Sequence, residues 1–228
     1  MKSMANRFRN GVFAAFFVAM AFYLLCYLFL AVSSGPYSSS GRMDAETVMR
    51  LSGAGAPVLR IMLSALGSAM AAVFLFASIR LSRRSSGIIA LAFTLLLTGV
   101  QVLPSLVIME TIRAYSILPL LLSEFSLLTT ALLYWLLTPW LARRTNEPLS
   151  LAIVLLLNGV LSFVFSALVS VLLPLQNLAT FGALCWTAFK GSVSALLQHA
   201  VIVLPVYALL YGIFRPKKAP SPEGLDNG

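Results

Sequence analysis

The chain of 228 residues holds one histidine, two cysteines and seven acidic residues. They form none of the groupings that the corresponding chemistries need. There is no HExxH, which places two histidines on one helix face to hold zinc, and no GxSxG, which presents a nucleophilic serine on a tight turn. Paired aspartates on adjacent apolar segments, as an intramembrane protease would use, are absent, and so is a glycine-rich phosphate loop. Cys26 and Cys185 stand alone without a CxxC or a Cys/His cluster, so neither a metal site nor a structural disulfide is expected. No catalytic residue, cofactor or metal is assigned, and the chain is read as a non-enzyme.

What remains is a handful of polar side chains inside long apolar runs: Gln101, Glu124, Asn158, Ser166, Gln198 and His199. Such groups are costly at bilayer depth and persist where they pair with one another or face a cavity. Glu124 and His199 have the right types to exchange a proton, and all five of Gln101, Glu124, Ser166, Gln198 and His199 can hydrogen-bond a small solute. The bland alternative is a clasp, in which Glu124 bonds His199, Gln198 or a nearby serine and merely locks helices together. A lone histidine among apolar residues is more often a packing residue than a ligand, so His199 is the weaker member.

These side chains must be positioned by membrane helices. Hydrophobic residues make up 60% of the chain and charged ones 10%, with a mean hydropathy of +0.94. A soluble domain carries about a quarter charged residues and has no way to hide this much apolar surface. A cytosolic enzyme, a secreted disulfide scaffold and a disordered chain are thereby excluded. The net charge of +9 falls in short clusters between the apolar runs, which marks membrane topology rather than a nucleic-acid partner. Strand-type alternation is missing, so the expected fold class is all-α: a polytopic membrane protein.

A helix needs about 20 apolar residues to cross the bilayer core. Six runs qualify, at 11–32, 58–79, 87–109, 117–141, 149–173 and 191–214. Residues 1–214 are read as one six-helix domain, 33–57 as a long outer loop, and 215–228 as a disordered cytoplasmic tail. Residues 43–51 within the loop suit a short amphipathic helix. The stretch 174–190 is apolar but interrupted, and is expected to be interfacial or re-entrant. Eleven lysines and arginines lie at the N-terminus, in the second and fourth loops and in the tail, against five on the other side. Both termini are therefore expected in the cytoplasm, in a bacterial inner or plasma membrane. The first run is read as an uncleaved anchor, being longer than a signal peptide's apolar core.

With that orientation, counting about 1.5 Å per residue puts Gln101, Glu124, Ser166, Gln198 and His199 at about 10–12 Å below the outer boundary. A shared polar layer beneath a long outer loop predicts an outward-facing pocket. Helix packing is expected to use small residues at four-residue spacing: Ser64, Ser68 and Ala72 with Gly67 and Ala71, and the run Asn158, Ser162, Ser166 and Ser170. Asn158 lies deeper and is expected to bridge helices. On the first span Gly11, Ala15 and Ala19 form a face that suits a partner helix.

Six short spans, both ends inside, a polar outer layer and Ala15-x-x-x-Ala19 near the cytoplasmic end resemble the substrate-binding S components of energy-coupling-factor transporters. The resemblance implies a solute-binding or transport subunit that works with a membrane coupling subunit docked on the first helix, and a small-molecule substrate. A similar six-span layout is found in the rod-shape protein MreD, which would imply a non-catalytic scaffold in a cell-envelope complex. A third expectation is a proton-coupled carrier that uses Glu124 and His199.

Overall fold

The structure, a computed structural model, describes residues 2–33, 55–111, 117–172 and 179–214, with side chains placed over 6–28, 58–100 (Arg60 apart), 121–168 and 182–214 (Leu184 apart). The expected outer loop and its amphipathic segment, the tail, and the Gln101 side chain lie outside the described residues.

The described residues are helical almost throughout. Helix α1 covers Lys2–Ser33, α2 Gly55–Arg80, α3 Arg83–Thr111 and α4 Ile117–Leu132. A π-helical turn, Leu133–Leu137, joins α4 to α5, Thr138–Arg144, and α6 and α7 cover Glu147–Leu172 and Ala179–Ile213. Six helical stretches are long and apolar enough to cross a bilayer, with α4, the π turn and α5 acting as one of them. Their outer faces carry Phe22, Ile61, Leu95, Val201 and Leu209, all more than half exposed. Hydrocarbon, not water, is the solvent such faces fit.

Helix α7 departs from expectation. It begins at Ala179, twelve residues before Gly191, and runs unbroken through Gly182, Gly191 and Pro205. The interruptions at 182–191 are glycines and a single lysine, which weaken a helix without ending it. Lys190 Nζ sits 5.1 Å from the Trp186 ring centre, and Trp186 stacks on Phe189. That aromatic shelf lets the charged residue remain on an apolar helix.

Helix α2 is the axis of the bundle. It packs most extensively against α1 and α7 and also touches α3, the π turn and α5. Every residue from Met70 to Ser78 is buried. Phe74 meets Phe93 and Tyr134, while Phe76 meets Phe8, Tyr207 and Phe214. The first half of α2, around Ile61 to Ser64, is much more open. The bundle is thus tight at one end and looser toward the other.

The tight end is also the basic end. The start of α1, the end of α2, the start of α3, α5 and the end of α7 all meet there. Arg80 forms an ion pair with Glu147 at 2.6 Å, Tyr207 donates to the same carboxylate at 3.5 Å, and the Arg80 guanidinium lies 5.2 Å from the Tyr211 ring centre. One contact cluster therefore ties α2, α6 and α7.

The π turn has an identifiable cause. Pro139 lacks an N–H and its ring clashes with the carbonyl four residues back, so regular α pairing fails ahead of it. The Thr138 N–H reaches instead to the Leu133 carbonyl, five residues earlier, and the Thr138 hydroxyl donates weakly to the same oxygen. The wider turn directs Tyr134 into the bundle, where it is 1% exposed.

Candidate functional site

Among the described residues, long-range side-chain bonds join helices around His199, Glu124 and Asn158. His199 on α7 sits between two hydroxyls: Ser68 Oγ lies 2.9 Å from Nδ1, and the Tyr134 hydroxyl 3.2 Å from Nε2. In either neutral tautomer one ring nitrogen donates and the other accepts, so both are occupied. Thr98 on α3 donates to Glu124 Oε2 at 2.7 Å, and Thr130 on α4 donates to Asn158 Oδ1 at 2.9 Å. Among the described residues, the second Glu124 oxygen is buried without a partner.

A cavity of about 330 Å³ lies beside His199. Its floor is Ala71, Phe93 and Tyr134, and Ser64, Ser162 and Ser192 line it one to two turns farther from the arginine-rich end. Asn158, Gln198 and His199 complete the polar wall. Small residues that the sequence offers as packing stripes line this space, Ser64, Gly67 and Ser68 on α2 and Ser162 on α6, while Gly159 beside them is covered by Leu196, which a Cβ there would meet at 2.9 Å. Two shallower grooves flank it, one between α4 and α6 and one between α6 and α7, and Ser162 and Ser166 line both.

The cavity is neutral. Its hydroxyls, two amides and one imidazole offer donors and acceptors but no fixed charge, against a wall of Phe93, Leu97 and Leu196. The Asn158 amide nitrogen has no partner among the described residues, which leaves two N–H donors at the wall. Its volume is at the lower end of the roughly 300–1,000 Å³ of small-molecule sites.

The four candidate side chains among the described residues do not gather at one level. Gln198 and His199 line the central cavity, Ser166 lines the flanking grooves, and Glu124 belongs to the α3–α4 contact instead. Tyr134 lies ten residues beyond Glu124, about 15 Å along the helix axis, and His199 is bonded to Tyr134. The early start of α7 accounts for the difference, because His199 is then near the middle of its 185–213 span. Gln198 is exposed, and among the described residues its contact is with Ser194 on its own helix at 3.5 Å. Asn158 joins α4 to α6, and also faces the cavity.

Comparisons with family models, curated proteins and solved structures return no match.

Tyr134, Thr98 and Thr130 were not legible as site residues from the sequence. Tyr134 carried one usable signal, its place five residues before Pro139. The face of α1 proposed for docking is partly occupied within the chain. A Cβ on Gly11 would stand 2.9 Å from the Phe214 ring, and Ala19 packs on the core. Ala15 is half-buried. Among the described residues, no three His, Cys, Asp or Glu side chains gather to hold a metal.

Proposed function

We propose that the protein is a membrane subunit that binds a small, uncharged, hydrogen-bonding solute in the cavity beside His199, and moves or presents it with partner subunits. The observation that carries this reading is the cavity itself: about 330 Å³ of unfilled space at mid-bundle, ringed by polar groups from α2, α6 and α7 and the π turn. A purely structural clasp has no need of unfilled volume next to its hydrogen bonds, since packing is what joins helices in lipid. Ser68 and Tyr134 fix the imidazole, so the solute meets a rigid surface. Asn158 supplies free donors and the serines supply hydroxyls that rotate to suit. The absence of lining charge argues for a neutral solute over an ion, because a charge would lose its hydration there without a partner.

Both termini are read as cytoplasmic, so the cavity extends from mid-membrane toward the outer face. The test is to purify the protein in nanodiscs and identify co-purifying small molecules by mass spectrometry, comparing wild type with Ser162→Phe and His199→Ala. Wild type should carry one compound that Ser162→Phe lacks, with both variants folded. A wild-type protein that arrives empty and binds nothing from a panel of neutral metabolites would remove the reading.

A further inference from the structure

A second pocket lies at the opposite, arginine-rich end. It also measures about 330 Å³ and is enclosed by the end of α2, the start of α3, the π turn and α5. Arg83 and Arg143 line it together with Trp135, Trp140, Ser78 and Ser86, and no acidic residue is among its lining. Glu147, the described acid nearest this end, is held by Arg80 and Tyr207. Neither Arg83 nor Arg143 has a carboxylate partner among the described residues.

The pocket is also built. The Arg83 carbonyl accepts from Trp135 Nε1 at 3.3 Å and from the Ser86 hydroxyl at 3.2 Å, which pins the start of α3 to the π turn. The Arg83 guanidinium lies 5.6 Å from the Trp135 ring centre. Ser78 is 4% exposed, and its hydroxyl is buried without a partner among the described residues. A buried orphan hydroxyl in a pocket lined by two guanidinium groups without carboxylate partners calls for an acceptor-rich anion.

We propose that this pocket binds the phosphate headgroup of an acidic membrane phospholipid. Arg83 and Arg143 grip the phosphate oxygens, and Ser78 donates to the headgroup from below. Leu136 and Trp140, both at least 40% exposed at the pocket's edge, lie where acyl chains would rest. Free phosphate has no use for that apolar margin, and so the lipid is the occupant. Paired tryptophans suit the headgroup level, where an apolar ring and a polar N–H are both satisfied. Basic pockets between helices at the inner surface hold acidic headgroups for the same reasons.

Two of the three tryptophans line the pocket, so the protein reports on its own occupant. Trp186→Phe removes the third and leaves the site intact. This protein is placed in nanodiscs with brominated phosphatidylglycerol or brominated phosphatidylcholine, and tryptophan quenching is followed against lipid mole fraction. Phosphatidylglycerol should half-quench at a mole fraction roughly thirtyfold lower, from two arginine contacts. Adding Arg83→Gln and Arg143→Gln should erase the preference, while Arg7→Gln with Arg84→Gln, an equal charge loss outside the pocket, should keep it. Equal quenching by both lipids, or the same loss in the control pair, would overturn the proposal. Displacement by millimolar inorganic phosphate would overturn the lipid as occupant. Should the double variant fail to fold, the two-lipid comparison on Trp186→Phe decides alone.

Discussion

The Tyr134 hydroxyl lies 3.2 Å from His199 Nε2, and this bond closes the floor of the central cavity. It spans α7 and the π turn, and it positions the imidazole from the side opposite Ser68. A residue at 1% exposure spends its one polar atom on this contact.

Tyr134→Phe keeps the ring and deletes the hydroxyl. It should lower stability by about 1 kcal/mol, because a hydrogen bond in a membrane bundle contributes little more than one in water. Tyr134→Ala adds a packing defect beside Phe74 and should cost about 3–5 kcal/mol. Denaturant titration of helicity in mixed micelles measures both. Similar values for the two variants would mean that the ring contributes no packing.

Pro139→Ala restores the missing N–H and removes the ring clash that sustains the π turn. Helix content should stay the same while the Tyr134 side chain rotates away from His199. The imidazole 15N signals of labelled His199 should then shift as they do in Tyr134→Phe. Unchanged signals would show that the wide turn survives without the proline.

Arg80 and Glu147 are about a third exposed, so their pair is partly screened. A double-mutant cycle with Arg80→Ala and Glu147→Ala should give a coupling of about 1 kcal/mol that shrinks at high salt. A coupling several times larger would mean that the basic end is more shielded than its exposure indicates.

Glu124 and Thr98 give an asymmetric pair of substitutions. Thr98→Val leaves the carboxylate without its described donor and should cost roughly 1–3 kcal/mol. Glu124→Gln keeps an acceptor for Thr98 and should be neutral or stabilising. Solute binding should be nearly unaffected by Glu124→Gln, since Glu124 lines the α3–α4 contact and not the cavity beside His199. A large loss of binding with Glu124→Gln would return Glu124 to the site.

Sequence alone determined the solvent this chain suits and the number of helices that meet it. The run at 149–173 is long and apolar enough for a membrane-crossing helix, and that property is additive along the chain. The clustering of arginines at one end was equally legible, because each loop's charge can be read without knowing its neighbours. Only tertiary structure decided which polar groups meet. Residue spacing from helix starts at 117 and 191 puts Glu124 and His199 at equal depth, but α7 begins at Ala179, twelve residues earlier. Tyr134 looked like one more apolar-run aromatic until Pro139 widened the turn and aimed it inward. Cavities follow the same logic: Ser64, Ser68 and Ser162 read as close-packing residues one helix at a time, but where α2, α6 and α7 meet they line open space. Which partners a side chain finds depends on rotation and register between helices, and local composition does not encode either.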